Sequence, residues 1–471
     1  MRMKFSPSKL GTIIFVGVAG ALISSQIVYP AKRVLEAFSG LILAYLIWNF
    51  STLSALWLLL IIYPFPFTIS LGNSTFIFMV LIFIIYLLRV AARKSTIHSD
   101  RQFNLPVILM VMSYLISFYN LRGTPEFIGF GLAHTGNFIA SIFLFYMLIN
   151  FVNDERKLHK TVRISVITCA IIMLFTVLEL FFPGRRIIPG WLYTEHKAQL
   201  VMKDIRMTGV FHDYELGAEY FAMNVPILFF LAVRARRLLT RGMFVFLLIL
   251  DFVLLFTTMT RGAFISLTIG MVYMAYLSRR DLNIVQLGMI GGALVGLVFI
   301  VDTLVAQYTI SGSLFGRLVA TTFERGFMPE TRVVAWGGAF ARGLEHPFIG
   351  HGPGWDFSKG IGVKYWPHNV YLFYFNITGL FGLSAFIFLL VRLFKATLSG
   401  CRSSLVRDPF PEAFMKVLHV LLVIFVIDQI KIEYLRNNIY MYFVWFFFGL
   451  IAATRNVIRS NLAAKSDTGS A

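Results

Sequence analysis

The chain has 471 residues, of which 58% are hydrophobic and only 14% charged, and its mean hydropathy is +0.76. Soluble globular proteins carry about 25% charged residues, so the composition excludes that class and predicts an all-α, polytopic integral membrane protein. Two cysteines, Cys169 and Cys401, exclude a disulfide scaffold. The net charge of +19 has to be tested as membrane topology before it is interpreted as nucleic-acid binding.

Apolar runs long enough to cross a bilayer recur along the whole chain, because a helix needs about 20 apolar residues to cross the hydrocarbon core. We predict about fourteen transmembrane helices. Their approximate limits are 10–29, 32–50, 52–70, 74–91, 103–120, 127–151, 162–182, 216–233, 242–259, 262–278, 283–307, 368–391, 411–430 and 437–454.

Basic residues cluster in every second loop of this arrangement. With both termini placed in the cytoplasm, most of the clusters fall on the cytoplasmic side, as the positive-inside rule requires. Lys32 and Arg33 are the exception, since they would lie outside. The cytoplasmic clusters are Arg89, Arg93, Lys94 and Arg101; Arg156, Lys157, Lys160 and Arg163; Arg234, Arg236, Arg237 and Arg241; Arg279 and Arg280; Arg392, Lys395, Arg402 and Arg407; and Arg455, Arg459 and Lys465.

Three regions are predicted along the chain. Residues 1–102 form an N-terminal group of four helices, residues 103–455 a larger helical region, and residues 456–471 a cytoplasmic tail. Two large loops, at about 183–215 and 308–367, lie on the extracytoplasmic side of the larger region. That side has no ATP, so any synthesis there needs a substrate that arrives already activated.

The two large loops contain many cations for an extracytoplasmic position. Snorkelling to lipid phosphates is one explanation; convergence of a subset on an anionic ligand is the other, since an arginine pairs bidentately with phosphate oxygens. The cations are Arg185, Arg186, Lys197, Lys203, Arg206, Arg317, Arg325, Arg332, Arg342, Lys359 and Lys364.

Arg206 and Arg261 are the first two candidates for such a site. Arg206 precedes the eighth predicted span in a segment that ends at His212, and Arg261 lies in a tight turn between the ninth and tenth spans. An arginine at a turn on the membrane surface is costly to desolvate and therefore tends to have an anionic partner. A lipid headgroup remains the alternative.

Arg332 is predicted to lie in the first turn of an amphipathic helix that begins near Pro329 and ends before Pro347. Unpaired backbone amides at a helix N-terminus attract anions, and an arginine there would reinforce an anion site. An ion pair with Glu330 is the alternative. The apolar positions of this helix are Val333, Trp336, Phe340 and Leu344.

A glycine-rich segment, Gly350-His351-Gly352-Pro353-Gly354, follows this helix. It is not a Walker loop, because no Gly-Lys-Ser/Thr follows it. Its glycines could bring the backbone close to a ligand or to a neighbouring helix; a plain turn is equally compatible with the pattern.

His368 opens the twelfth predicted span, directly before Asn369 and Tyr371. A histidine at the water–lipid boundary can accept a proton from a hydroxyl group, and Asn369 could orient the ring or a sugar. The alternative is that His368 caps its own helix. No pair of histidines has the spacing of a zinc site with an acidic companion, so no metal is predicted.

Acidic residues within or beside the predicted spans need partners, because buried acids mark pathways or ion pairs. We expect Glu179, Glu219, Asp302 and Asp428 to pair with the outer arginines. Asp251 lies near the middle of its span, and the pattern assigns it no partner.

Four motifs occur in one order along the chain: Arg206…Gly209-Val210-Phe211, Thr260-Arg261-Gly262-Ala263, Arg332…Trp336…Pro347…Gly350-His351-Gly352-Pro353-Gly354 and His368-Asn369-Val370-Tyr371-Leu372. With these motifs on one side of the membrane, the chain resembles the O-antigen ligase/polymerase family over roughly residues 160–455. The family consists of bacterial inner-membrane C-type glycosyltransferases.

The resemblance implies a reaction and a set of roles. An oligosaccharide would pass from a polyprenyl diphosphate to an acceptor at the periplasmic face, with inversion at the anomeric carbon and without metal, nucleotide or other cofactor. Arg261 and Arg332 would stabilise the diphosphate, and His368 would be the general base. The substrate would also contact Arg206, His212, Gly352, Gly354, Asn369 and Tyr371.

Three functional alternatives remain open. A polymerase transfers the growing glycan to the next lipid-linked unit, whereas a ligase transfers it to lipid A core or a protein. The spacing Arg206…Gly217 and Arg332…Gly343, and the extra N-terminal helices, favour a polymerase of O-antigen or exopolysaccharide, with a chain-length regulator and a flippase as partners. A transporter of lipid-linked glycan is the third alternative; it predicts charges near the bilayer midplane and an internal repeat.

Overall fold

The computed structural model of the protein describes residues 40–42, 44–45, 47–49, 51–66, 68–69, 72–97, 100–123, 127–181, 199–201, 204–211, 213–279, 296, 299–300, 302–303, 330–353 and 367–468. The described chain is almost entirely helical, as the composition predicts. Its only described strands are two short antiparallel ribbons, in which β1 (Thr68–Ile69) pairs with β2 (Gly72–Asn73) and β3 (Gln199–Val201) pairs with β4 (Asp204–Arg206).

Twelve α-helices have described bounds in the structure. They are α1 Thr52–Ile62, α2 Ser74–Ala91, α3 Arg101–Ser117, α4 Ile128–Phe151, α5 Glu155–Phe181, α6 Tyr214–Arg234, α7 Leu238–Thr257, α8 Arg261–Leu277, α9 Glu330–Gly343, α10 Val370–Thr397, α11 Phe410–Asp428 and α12 Asn438–Thr468. Short 3-10 turns cover Phe118–Gly123, Gly209–Phe211, Leu398–Arg402 and Tyr434–Arg436.

Nine helices in the described part of the chain are long and apolar enough to cross a membrane: α2 to α7 and α10 to α12. The structure therefore supports a multi-pass membrane protein. The predicted spans 10–29, 32–50 and 283–307 lie largely or wholly outside the described residues. α8, at 17 residues, is a shorter apolar helix that coincides with the predicted span 262–278.

The third predicted span, 52–70, is wrong in extent. α1 has only 11 residues and ends at Ile62, ahead of Pro64 and Pro66. A proline disfavours helical backbone at the residue before it and cannot continue the helix itself. The chain then turns into the β1–β2 ribbon, and Asn73 caps α2 by accepting a hydrogen bond from the Thr75 amide at 2.8 Å.

α5 begins earlier than its predicted span 162–182. Its first residue is Glu155, so the basic cluster from Arg156 to Arg163 lies on the first two turns of the helix and not in a loop. Trp57 of α1 donates to Thr161 Oγ1 at 3.1 Å, and Thr168 Oγ1 donates to the Leu60 carbonyl at 2.8 Å. The N-terminal helices therefore pack directly on the larger helical region.

The centre of the bundle is formed by α6, α11 and α12. Their most apolar segments are 89%, 78% and 83% buried, against 28% for α7 and 33% for α2. Aromatic side chains fill this centre, and Trp445 of α12 lies edge-on to Phe138 and Phe145 of α4, at ring-centroid distances of 5.7 and 5.9 Å. Helices α2 and α7 line the periphery.

α10 is broken at Gly379, where the backbone has φ +66°. The segment after α9 supplies hydrogen-bond donors to the α10 carbonyls next to the break. The His351 and Gly352 amides donate to the carbonyls of Asn376 and Ile377 at 2.7 and 3.0 Å. A Cβ atom on Gly350 would collide with the α10 backbone at Ile377. Of the three uses predicted for this glycine-rich segment, the structure shows close approach to a neighbouring helix.

Candidate active site

One end of the bundle brings together the ends of five helices. The N-termini of α6, α8, α9 and α10 meet the C-terminus of α11, and each contributes a charged or titratable side chain. These residues are Glu215, Arg261, Arg332, His368 and Asp428, with Lys431 just after α11. Arg261, Arg332 and His368, the three residues predicted to do chemistry, therefore lie at the same end.

Glu215 joins two of the predicted residues. One carboxylate oxygen accepts a hydrogen bond from Arg332 Nη2 at 2.8 Å, and the other lies 3.3 Å from His368 Nδ1. The Glu215 side chain is 14% exposed, whereas those of Arg332 and His368 are 27% and 30% exposed. The carboxylate is thus the inner group, and the arginine and the imidazole lie closer to the surface.

Arg332 pairs with Glu215, 117 residues away in sequence. The side chain of Glu330, the predicted alternative partner, lies outside the described residues. The helix itself is as predicted: α9 starts at Glu330, which places Arg332 in its first turn. A carboxylate between an arginine and a histidine holds both side chains in place, because charge-assisted hydrogen bonds are short and directional.

His368 has an unusual backbone conformation, with φ +45°. A non-glycine residue rarely adopts this left-handed region, and such residues concentrate at functional sites. The structure fixes the residue from both sides. Trp336 Nε1 of α9 donates to the Pro367 carbonyl at 2.6 Å, and the Val370 amide donates to the Gln429 carbonyl at 3.0 Å.

Asn369, and not His368, caps α10. Its Oδ1 accepts from the Leu372 amide at 3.0 Å, and its Nδ2 donates to the Ile430 carbonyl at 2.9 Å. Tyr371 hydroxyl donates to the Val426 carbonyl at 3.2 Å. Both side chains thus tie α10 to the end of α11, which gives them a positioning role beside the histidine.

Two fully buried carboxylic acids lie beneath this surface. Asp428 pairs with Lys431 at 2.5 Å, and Glu219 Oε1 accepts a hydrogen bond from Gln429 Nε2 at 2.7 Å. Among the described residues, these two acids contact a lysine and a glutamine and not the outer arginines that the sequence suggests. Lys431 also lies directly against Gly262 of α8, where a Cβ atom would collide with its side chain. This brings a further cation next to Arg261.

Several predicted residues lie elsewhere or outside the described chain. The backbone of Arg206 ends β4, while its side chain, the side chain of Glu179, His212 and Gly354 are outside the described residues. Gly352 faces the Leu121 side chain, so its small size serves packing. Among the residues that the structure describes, no group of three His, Cys, Asp or Glu side chains is arranged to hold a metal ion.

A second polar contact joins the last turn of α9 to the segment that follows it. His351 Nε2 is 3.0 Å from the Arg342 carbonyl, and both side chains are buried, at 7% and 3% exposure. Burial lowers the pKa of His351 and also that of Arg342. A neutral His351 can donate to that carbonyl, so this pair stabilises the connection between α9 and α10.

Sequence reasoning missed Glu215 and Lys431. Lys431 had a signal, since Asp428, Lys431 and Glu433 follow an apolar run directly. Glu215 had none, because an acid in the first turn of a helix is also the ordinary complement of the helix dipole. Asp213, two residues earlier, caps α6 through the Glu215 and Leu216 amides.

Comparison of the chain with protein-family models and with curated proteins finds no match.

Proposed function

We propose that the protein is a glycosyltransferase of the O-antigen ligase/polymerase type, and that it polymerises a surface polysaccharide from polyprenyl-diphosphate-linked units. The observation that carries the proposal is the Glu215 carboxylate between Arg332 and His368, at the end of a membrane-embedded bundle that also holds Arg261 and Lys431. A cation cluster beside a histidine suits a reaction that releases a diphosphate from a sugar.

The topology belongs to the proposal. It places about fourteen spans in the bacterial inner membrane, both termini in the cytoplasm and the cluster at the periplasmic face. The basic clusters of the sequence support this orientation. So does the structure's arrangement of helix ends, because Glu215, Arg261 and His368, which the topology puts on one side, lie at one end of the bundle.

The diphosphate of the donor would bind to Arg332 and Arg261. The Arg332 guanidinium has five N–H donors, so one contact with Glu215 leaves others for phosphate oxygens. As the bond between the anomeric carbon and the diphosphate oxygen breaks, negative charge grows on the leaving group. Fixed cations stabilise that charge without reorganisation.

His368 would accept the proton of the acceptor hydroxyl. With Nδ1 donating its hydrogen to Glu215, the basic nitrogen is Nε2. The acceptor oxygen attacks the anomeric carbon from the face opposite the diphosphate, which inverts the configuration. The imidazolium that forms is stabilised by the Glu215 carboxylate, and the polyprenyl diphosphate leaves with the bonding electron pair.

The test is reconstitution of the purified protein in liposomes with polyprenyl-diphosphate-linked repeat units as sole substrate. We expect a ladder of products on a gel, and a rate that falls by about 10²–10⁴-fold in His368→Ala, the range for loss of a general base. His346→Ala is the matched control, because His346 is an exposed histidine that follows α9.

Each other outcome identifies an alternative. A single conjugate that forms only when lipid A core is added indicates a ligase with the same donor. Movement of the donor across the bilayer without any transfer indicates the transporter. A ladder that persists at full rate in His368→Ala contradicts the proposed base.

A further inference from the structure

Asp251, to which the sequence pattern assigns no partner, is a carboxylic acid inside a membrane span. It lies six residues before the last residue of α7, Thr257, and therefore about 9 Å from that end of the helix at 1.5 Å per residue. The Asp251 side chain is 0% exposed, although only 28% of the most apolar segment of α7 is buried. The carboxyl group therefore points into the protein and not into the lipid.

The surroundings of Asp251 contain a thiol and phenols. Its Oδ1 lies 4.0 Å from the Cys169 Sγ of α5, and within the described part of the chain its Oδ2 has no hydrogen-bond partner. From α6 the Tyr220 hydroxyl interacts with the Cys169 thiol, and Tyr63 at the end of α1 lies beside both. None of these three groups is a cation. The other buried residues of α7 are phenylalanines and leucines.

The chemistry around Asp251 suits a proton better than a metal ion. An ionised carboxylate without a counter-cation is too costly to bury, so such a group takes up a proton or binds a cation. Calcium needs about six to eight oxygen ligands, and zinc needs three or four protein ligands. In the described residues no group of three His, Cys, Asp or Glu side chains could supply them. A proton needs a single carboxyl oxygen.

Tyr220 also lines a cavity of about 20 Å³ between α1, α5, α6 and α12. This volume is enough for a water molecule, and a buried water needs about two to four polar partners. The polar residues that line the cavity are Tyr63, Ser165, Thr168, Tyr220 and Asn224. Tyr220 therefore connects the thiol beside Asp251 to a space that suits water.

We propose that Asp251 is a proton-binding site within the membrane, and that it exchanges its proton with a water molecule in this cavity through Cys169 and Tyr220. On release, the carboxyl proton passes to the Cys169 sulfur, the thiol hydrogen to the Tyr220 oxygen, and the phenol hydrogen to the water. The products are a carboxylate and a hydronium ion, and the thiol and the phenol are regenerated. Uptake is the reverse sequence.

Proton binding at Asp251 requires only that the chain is a membrane protein, and it does not depend on glycan transfer. Asp251 lies on α7, whereas Glu215, Arg332 and His368 lie on α6, α9 and at the start of α10. Failure of the glycan-transfer test would leave the proton site unchanged, and absence of the proton would leave the glycan-transfer proposal unchanged.

Infrared spectroscopy of the full chain in bilayers tests the proposal, because the carbonyl stretch of a protonated carboxylic acid is separate from the bands of ionised carboxylates and of amides. The spectrum of Asp251→Asn is subtracted from that of the parent. Asparagine is a neutral side chain of the same shape, so it replaces a protonated acid without adding a charge. Glu345→Gln, at an exposed acid, is the matched control. Asp251→Glu, which keeps the acid but moves its band, serves if Asp251→Asn does not fold.

We expect a protonated-acid band in the Asp251 difference spectrum and none in that of Glu345→Gln. In heavy water the band should shift as deuterium replaces the proton. The shift should be slower in Tyr220→Phe, which keeps the ring and removes the relay hydroxyl, than in Tyr276→Phe, at an exposed tyrosine.

Three results would overturn the proposal. Absence of the band would mean that Asp251 is ionised and holds a cation. A band that does not shift in heavy water would mean a neutral acid that is sealed from water and has only a packing role. Equal rates of shift in the Tyr220→Phe and Tyr276→Phe variants would remove Cys169 and Tyr220 as the path.

Discussion

The two ends of the bundle use their basic residues differently. At the end opposite the site, Arg234 donates to the carbonyls of Leu405 and Asp408 at 3.0 and 2.9 Å, and Lys416 donates to the Leu277 carbonyl at 3.0 Å. These cations satisfy backbone acceptors where helices end. At the site end, Arg332 and Lys431 pair with the side chains of Glu215 and Asp428.

The two groups of cations thus have different partners: backbone carbonyls at helix ends in one group, and carboxylate side chains in the other. A carbonyl at a helix end needs a donor but not a particular one. Removing a carboxylate and a cation from water costs free energy that their mutual attraction often does not repay. A buried ion pair is therefore weak evidence of a contribution to stability and points to another role. The site end contains two such pairs, Glu215 with Arg332 beside His368 and Asp428 with Lys431. The opposite end contains one, Asp100 with Arg455, but the Asp100 carboxylate also caps α3 and so has a structural use.

The largest expected effect is the loss of stability on breaking the Asp428–Lys431 pair. Lys431→Met leaves the fully buried Asp428 without its cation, which costs about 3–5 kcal/mol when one partner of a buried pair is removed. We expect a matching loss of stability in detergent-solubilised protein, followed by thermal unfolding. The double variant Lys431→Met/Asp428→Asn should recover most of it. Equal losses in the single and double variants would show that the pair contributes packing and not charge compensation.

Arg332→Gln tests the assignment of the site end to chemistry. We expect the rate of glycan transfer to fall by about 10²–10³-fold, the effect of removing one donor that stabilises developing negative charge. Arg236→Gln, an exposed arginine at the opposite end, is the control and should retain the parent rate. Equal rates in the two variants would remove the distinction between the ends.

Glu215→Gln separates positioning from charge stabilisation. The amide still fills the space between Arg332 and His368 but cannot stabilise an imidazolium. We expect transfer to fall by about 10–100-fold, as when a supporting partner of a functional histidine is lost, with the larger change in kcat than in KM. Glu345→Gln, an exposed acid after α9, should behave as the parent. A change confined to KM would assign Glu215 to substrate binding.

The sequence predicts the helices far better than their partners. Hydropathy places α2 at 74–91 and α4 within a residue of its limits, because a membrane span is a local property of about 20 residues. The ion pair between Glu215 and Arg332 joins positions 117 residues apart, and no local pattern specifies it. For α9 the apolar period is right, but it does not reveal which side packs, since Val333, Phe340 and Leu344 are exposed while Ala335 and Ala339 are buried.

The smallest expected effect belongs to the opposite end. Arg234→Met keeps a long apolar side chain but removes the guanidinium, which lies over the Phe230 and Phe410 rings and donates to the Leu405 and Asp408 carbonyls. Hydrogen bonds from a charged group contribute about 1.5–3 kcal/mol each when buried, and the half-buried position of Arg234 reduces this, so a stability loss of about 1–2 kcal/mol is expected in thermal unfolding. Glycan transfer per folded molecule should not change. A loss of transfer without a loss of stability would mean that this end is coupled to the site. A cation that only donates to carbonyls at helix ends can change the total activity only by changing the amount of folded protein.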